Sequence, residues 1–439
     1  MKVKKIHPYM LIIFSFICVI LVGTILLLLP ISSADGKSIG FVDSLFMATS
    51  ATCVTGLASV NVAYELSTFG KVVMCLLMEI GGLSIITIGV FIFSILGAKI
   101  GVSNRFLIKE ALNQNSVKGI VSLVRKIIIT ALIIQTIGTI INMFALVPYY
   151  NDFWKGLGIS IFHSVASFNN AGFDMFGYNS MMEFNNNVIL NASTMLMIVL
   201  GAMGFVVIDD IITKRNWKKL TLHSKISIIT TVFLIIGGTL LMKLSMNSIS
   251  WLEALFTSIT TRTAGFSTID MSTLTPGGYS VVIMLMFIGA SPISTGGGIK
   301  TTTFAVILIS IVYFARGTKA KAFKRKIPET AIFKAFVLFS VAIMAICITV
   351  FMISVAQPEL EFRKVMFEVV SAFSTTGLSR GITTILNVPN KIILSVLMLF
   401  GRLGPLTIIG IVNKNWMTSS EESIQYVEES VIIGWKRIL

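Results

Sequence analysis

SVASFNNAGF (164–173) decides the fold, because the same short text, small polar residues closing on a glycine and a bulky apolar residue, recurs as ATSATCVTGL (48–57), SITTRTAGF (258–266) and VVSAFSTTGL (369–378). Each copy lies between long hydrophobic stretches. A polar, glycine-containing segment persists at membrane depth only where protein or a water-filled path covers its backbone groups. Four of them point to one shared pathway and to a chain folded from four copies.

The 439 residues are 55% hydrophobic and only 13% charged. Mean hydropathy is +0.89, and several apolar runs reach about 20 residues, the span of a bilayer core. The chain therefore reads as a polytopic membrane protein. Its first run, YMLIIFSFICVILVGTILLLLP (9–30), is too long for a signal-peptide core and has no A-x-A pattern after it, so it is read as the first spanning helix.

The net charge of +15 raises nucleic-acid binding, and its distribution answers that reading. Basic residues gather in MKVKK, in 99–126 (Lys99, Arg105, Lys109, Lys118, Arg125, Lys126), in 214–225 (Lys214, Arg215, Lys218, Lys219, Lys225) and in 316–334. The loops between, which hold Asp35, Asp43, Glu65, Asp152, Asp174, Glu183 and Asp270, are poor in Lys and Arg. That alternation follows the positive-inside rule, with both termini cytoplasmic, and no nucleic-acid partner is expected. Cys18, Cys53, Cys75 and Cys347 are scattered with no C-x-x-C pair, which favours small buried side chains over disulfides or metal ligands. His7, His163 and His223 share no helical spacing.

With the basic loops as inside markers, the chain divides into 1–97, 98–212, 213–315 and 316–413, leaving 414–439 as a cytoplasmic C-terminal tail. Unit one runs from a helix near 9–30 through an amphipathic segment (39–52) and its glycine tract to a helix near 68–97. Unit two repeats this with 123–147, 152–168 and 188–212, unit three with 223–245, 249–261 and 279–315, and unit four with 330–356, 360–373 and 389–413. The middle segments are too short to cross, so each must enter and return on one side, the outside. The expected fold is an all-α polytopic membrane protein, four M1-P-M2 repeats (helix, re-entrant half-helix, helix) around one pseudo-fourfold pore. A half-helix aimed C-terminus first at a central cavity places about half a negative charge there, which favours a cation.

Glycine allows positive φ and close approach of backbone to an ion, so Gly56, Gly172, Gly265 and Gly377 are the expected hinges of a carbonyl-lined filter. Cys53, Val54 and Thr55, then Asn169, Asn170 and Ala171, then Arg262, Thr263 and Ala264, then Ser374, Thr375 and Thr376 would supply the carbonyls. Their variety suits a ring that uses backbone oxygens; the bland reading of any single tract is helix packing or a turn. From each loop glycine to a glycine of the following helix (Gly81, Gly201, Gly289, Gly401) the intervals are 25, 29, 24 and 24 residues. Next after these come Gly82, Ala202, Ala290 and then Arg402.

GASPISTGGGIKTTT (289–303) cannot sustain a regular helix, with Pro292 and Gly296, Gly297 and Gly298 inside it; Ser291, Ser294 and Thr295 can satisfy the freed backbone. A phosphate-binding P-loop fails because Ile299 separates glycine from Lys300. The segment reads as a flexible plug beneath the filter, against a purely structural kink. A charge at mid-membrane costs about 2.5–3.5 kcal/mol on insertion scales, so Arg402 should face the interior and be paired, with the carbonyls near 291–298 as partners. The bland alternatives are a structural carboxylate such as Glu79 or a subunit interface, and Glu79 itself could meet water near the outer end of its helix. Asp209 and Asp210 read as a solvated pair balancing Lys and Arg rather than a proton-coupling site. EESIQYVEES (421–430) reads as a solvated run or short partner-binding element, and the Asn191 glycosylation match as chance.

The four units, the tracts, GASPISTGGGIKTTT and FGRLGPLT (400–407) together resemble the Trk/Ktr/HKT potassium transporters, most closely a bacterial KtrB or KtrD-type membrane subunit, over nearly the whole chain to about residue 413. The resemblance implies K⁺ uptake across the bacterial plasma membrane, with K⁺ at the filter as the only metal and selectivity tied to the four glycines. It implies that 289–303 is the intramembrane gate loop and Arg402 the pore-facing arginine. It also implies a homodimer docked on a cytosolic RCK-type ring that binds ATP or ADP, and a dependence on Na⁺. No cofactor is expected in this chain, which has no G-x-G-x-x-G segment, so the ring would be a separate protein. An alternating-access cation or solute symporter is the second reading. A membrane enzyme ranks last, for want of H-E-x-x-H, G-x-S-x-G or a comparable constellation.

Overall fold

A computed structural model of the chain describes residues 8–84, 87–91, 119–405 and 407. The basic N-terminus, most of the 99–126 basic stretch and the tail 414–439 lie outside the described residues.

Long apolar runs become the longest helices: α1 (Pro8–Leu28), α4 (Ile120–Tyr150), α8 (Leu222–Ser245) and α12 (Glu329–Ala356). All four are long and apolar enough to cross a membrane. Their outer faces expose large apolar side chains such as Phe14, Phe144, Phe233 and Phe351, the arrangement expected of helices solvated by lipid.

Each long helix is followed by a short one, α2 (Phe41–Thr52), α5 (Phe153–Phe168), α9 (Trp251–Thr260) and α13 (Phe362–Ser374). A left-handed glycine follows each short helix, at Gly56, Gly172, Gly265 and Gly377. The chain then enters α3 (Thr68–Leu83), α6 (Val188–Ala202), α10 (Pro276–Phe287) and α14 (Val388–Leu403). Those four helices begin alike, because Ser67, Asn187, Thr275 and Asn387 each accept an N–H from the first turn.

Packing between the triplets is circular. α3 packs on α5, α6 on α9, α10 on α13, and α14 returns to α2. Lys391 at the start of α14 closes the circle by an ion pair to Asp43 of α2 at 2.6 Å. Two large apolar clusters fill the wall, one among α2, α3, α5, α6 and α9, the other among α8, α10, α12, α13 and α14.

The third helices differ from the sequence reading. Unbroken helices over 68–97, 188–212 and 389–413 were expected, with a break in unit three alone. Instead α3 stops at Ser84 (φ 71°) and α14 at Gly404 (φ 78°). α6 meets α7 (Phe205–Lys214) at 94° across Gly204 (φ 91°). In the third triplet, 288–300 separates α10 from α11 (Thr301–Ala315). A small hairpin, β1 (Lys321–Ala322) with β2 (Arg325–Lys326), joins α11 to α12.

Cys53 is buried as expected, whereas Cys18 and Cys347 lie on exposed helix faces. Among the described residues no His, Cys, Asp and Glu group is placed to hold a metal.

Candidate functional site

The short helices end by one local rule. Val54, Asn170 and Thr375 take left-handed φ of 57°, 58° and 51°. The next N–H, from Thr55, Ala171 and Thr376, reaches back to the carbonyl of Ser50, Ala166 and Ser371 at 2.8, 2.8 and 2.9 Å. These are Schellman turns with a non-glycine residue at the left-handed position. Thr263 is left-handed in the third loop too, at 71°. Left-handed backbone costs an L-residue about 1–2 kcal/mol, so the surroundings must enforce it four times.

Two residues later, each glycine is placed against its neighbour. A Cβ on Gly56 would lie 2.6 Å from the Ala171 carbonyl oxygen, and one on Gly172 would lie 2.7 Å from that of Ala264. Gly265 faces the Thr376 carbonyl and Gly377 the Thr55 carbonyl in the same way. The order 56, 172, 265, 377 and back to 56 is therefore a closed ring in which each glycine clears space for the carbonyl before the next one. Side chains support it from behind. Gly56 N–H donates to Ser50 Oγ at 3.2 Å and Gly377 N–H to Ser371 Oγ at 3.0 Å. Asn170 Nδ2 donates to Thr263 Oγ1 at 3.2 Å, tying two loops together.

The third-helix glycines serve the same assembly. Gly81, Gly201 and Gly401 press their Cα against the carbonyls of Thr52, Phe168 and Phe373, each four residues before its loop glycine. Gly289 breaks the pattern and packs on the Gly297 carbonyl of its own loop.

That loop, 288–300, lies under the ring. Gly289 N–H bonds Ile299 O at 2.8 Å, Ser291 N–H bonds Ala202 O at 3.0 Å, and Thr295 N–H bonds Gly201 O at 3.3 Å. Gly297 N–H donates to Thr375 Oγ1 at 3.1 Å, so the loop hangs from a left-handed residue of the fourth tract. Pro292 and Ile293 back onto the bend at Gly204, and Phe205 N–H donates to Ile293 O at 2.9 Å. Lys300 Nζ turns back onto the Gly296 carbonyl at 2.7 Å. Ser294 Oγ caps Ser291 O at 2.6 Å, and Gly298 is left-handed at 66° beside Ser374.

Arg402 binds backbone carbonyls rather than a carboxylate. It donates to Thr295 O in the loop, as its sequence context suggested, and also to Gly81 O and, at 3.0 Å, to Gly82 O at the end of α3. The alternative pairing with Glu79 is overturned. Glu79 accepts from Gln135 Nε2 at 2.8 Å and Asn169 Nδ2 at 2.6 Å, one turn before the end of α3, and so is not a water-facing residue at the start of its helix.

Two cavities flank the assembly. One, of about 380 Å³, is lined by all four ring glycines with Asp174, Asp270 and Arg380 at its walls. The other, of about 340 Å³, is lined by Gly82, Pro292, Gly298, Lys300 and Arg402. Between them lie the ring, the loop and the guanidinium.

The remaining candidates have ordinary roles. Asp209 pairs with Lys126 at 2.7 Å and Asp210 with Lys214 at 2.5 Å, while Asp210 also accepts from Ser224 Oγ at 2.7 Å. Asn191 is buried and donates to Phe184 O at 2.8 Å, which leaves no glycosylation acceptor. His163 is buried with Nε2 on Thr194 Oγ1 at 2.8 Å. The sequence marks Val54, Asn170, Thr263 and Thr375 as filter positions but not as strained ones, since nothing in a valine or threonine codes for a left-handed conformation.

The pattern of the TrkH family, described as cation transport protein, matches residues 2–228 and 220–421. "Potassium/sodium uptake protein NtpJ" of Enterococcus hirae is 37% identical over 98% of this chain and 98% of its own. "Ktr system potassium uptake protein B" of Bacillus subtilis is 34% identical over 96% of this chain and 95% of its own, and "Ktr system potassium uptake protein D" of that organism is 35% identical over 98% of each. The crystal structure of the potassium transporter TrkH from Vibrio parahaemolyticus superposes with a TM-score of 0.73 at 19% identity, covering 95% of this chain and 87% of that one.

Proposed function

The chain belongs to the TrkH family of cation transport proteins, and from that premise we propose that it is the ion-translocating, channel-like subunit of a K⁺ uptake system. The four helix triplets are M1-P-M2 repeats around one pore. The observation that carries the reading is the closed ring, in which Gly56, Gly172, Gly265 and Gly377 each make room for a neighbouring carbonyl. Four loops that turn backbone oxygens toward one axis can replace the hydration shell of a monovalent cation without any charged side chain. Cys53–Gly56, Asn169–Gly172, Arg262–Gly265 and Ser374–Gly377 form this filter.

The 380 Å³ cavity is the outer vestibule and the 340 Å³ cavity the inner one. Loop 289–303 is the gate between them. Arg402 latches it, because one side chain spans Thr295 of the loop and the end of α3. Release of that latch would clear both a plug and a positive charge from the path.

Relatives named as uptake proteins for potassium, and in one case sodium, support K⁺ as cargo and a role for Na⁺. The relatives' name "Ktr system" supports an assembly, here a homodimer on a cytosolic RCK-type ring that binds ATP or ADP. The loop charges support a cytoplasmic position for both termini.

The test is growth of a bacterium lacking its own K⁺ uptake, at limiting K⁺. Expression of this chain with a compatible RCK partner should restore growth. Failure to restore growth with both proteins present in the membrane fraction would reject the K⁺ reading.

A further inference from the structure

A cleft of about 470 Å³ lies away from the ion path, between the last turns of α11, the β1–β2 hairpin and the first turns of α12. Its walls are apolar, from Ile311, Phe314, Ile332 and Phe336, and its rim carries Lys319 and Lys326. Phe314 is 89% exposed, so this wall opens sideways toward the surroundings of the helices rather than into the protein. The charge around it is one-sided. Residues 316–326 include Arg316, Lys319, Lys321, Lys324, Arg325 and Lys326 with no acid among them. Glu329 pairs with Lys326 at 3.7 Å, a loose and exposed contact that leaves the rim positive.

The hairpin is built to stay in place. Phe323 and Lys324 are both left-handed at the two-residue turn, the twist that matches paired strands. Ile327 N–H bonds Ala320 O at 3.0 Å below the strands, with both side chains buried. At the tip, Lys225 of α8 lies over the Phe323 ring at 5.9 Å. A hydrocarbon slot beneath a fixed cationic rim, at the end of a spanning helix, matches the two halves of an anionic lipid. The rim faces a phosphate and the slot faces the first carbons of an acyl chain.

We propose that this cleft binds one anionic phospholipid of the cytoplasmic leaflet, its phosphate on Lys319 and Lys326 and an acyl chain against Phe314 and Phe336. The assignment rests on the membrane orientation taken above and not on the ion that is carried. It is tested by native mass spectrometry of the full-length protein released from micelles containing equal phosphatidylglycerol and phosphatidylcholine. Retained phosphatidylglycerol should exceed phosphatidylcholine by at least about fivefold. Lys319→Ala with Lys326→Ala should abolish the excess, Lys319→Arg with Lys326→Arg should keep it, and Lys321→Ala with Lys324→Ala should leave most of it. Equal retention of the two lipids, or an excess untouched by the first pair, overturns the site. So does an equal loss with the second pair, which would mean diffuse charge, or displacement by millimolar inorganic phosphate, which would mean a free-anion site. K⁺ flux is not part of the readout, so this site and the transport reading fail separately.

Discussion

At the scale of single residues, a glycine matters where something already occupies the place of its side chain. Gly56 has φ 93°, and a Cβ there would meet the Ala171 carbonyl at 2.6 Å and Gly172 Cα at 2.9 Å. Gly56→Ser must shift the neighbouring loop or hang a hydroxyl into the ring, and both alter the oxygens that a bare ion would meet. K⁺/Na⁺ discrimination should fall about tenfold, equivalent to about 1.4 kcal/mol, read as Na⁺ competition against Rb⁺ uptake into proteoliposomes; undiminished discrimination in folded protein would remove the filter assignment. Gly401 acts through packing instead, because its Cα lies on the Phe373 carbonyl. Overpacking of that kind costs about 1–3 kcal/mol, so Gly401→Ala should lower the thermal midpoint of the solubilised protein. Gly237, with nothing within 4 Å of an added Cβ, is the control and should tolerate alanine. The sequence spacing picks out all four loop glycines and three third-helix partners, Gly81, Gly201 and Gly401, because glycine is a residue type that announces itself; it also picks out Gly289, which packs on its own loop instead. The left-handed Val54 and Ser84 were not legible, since the demand on them comes from neighbours distant in the chain.

At the scale of elements, the informative departure is that every third helix is interrupted, at Ser84, at Gly204, across 288–300 and at Gly404. The apolar text runs on through LSIITIGV (83–90) and through VVIDDIIT (206–213), so hydrophobic periodicity offers no reason to stop there. The reason at Gly204 is tertiary: the Pro292 carbonyl sits 2.6 Å from where its Cβ would be, and the loop supplies a carbonyl to Phe205 N–H. What distinguishes the third triplet is therefore the length of its interruption, which lets backbone from 289–298 fill the space beneath the ring. Arg402 holds that backbone with one charge, and on the proposed reading that charge is also an obstacle to the ion. A cation passing about 6 Å from a guanidinium is opposed by roughly 3 kcal/mol at an effective dielectric of about 20. On the proposed reading, Arg402→Ala removes the latch and the charge together, whereas deletion within 293–298 removes the plug and its contact to Arg402 but leaves the charge. Both should raise Rb⁺ flux into proteoliposomes, the first by about tenfold or more; reduced or unchanged flux in well-folded protein would make the loop a structural kink.

At the scale of the whole molecule, closure is what the sequence could least express. Four similar texts imply four similar units, but only the contacts α3 to α5, α6 to α9, α10 to α13 and α14 to α2 make them a circle. The partners of Arg402 illustrate the gap, since Gly81 and Gly82 lie in the first triplet and come within its reach only when the ring is closed. On the proposed reading, a closed ring whose carbonyls line the path needs no chemical step in this chain to move ions. The membrane potential does work of about 2.3 kcal/mol per elementary charge per 100 mV, and at about 1.4 kcal/mol per tenfold that supports roughly fiftyfold accumulation of a monovalent cation. Proteoliposomes holding the Arg402→Ala variant, given an imposed inside-negative potential of about 100 mV and no nucleotide, should therefore concentrate Rb⁺ about fiftyfold if Rb⁺ crosses alone. Collapse of the potential should abolish the gradient. Accumulation well above that limit in the presence of a Na⁺ gradient would show that Na⁺ is cotransported, and accumulation that appears only with ATP hydrolysis would overturn the channel-like reading.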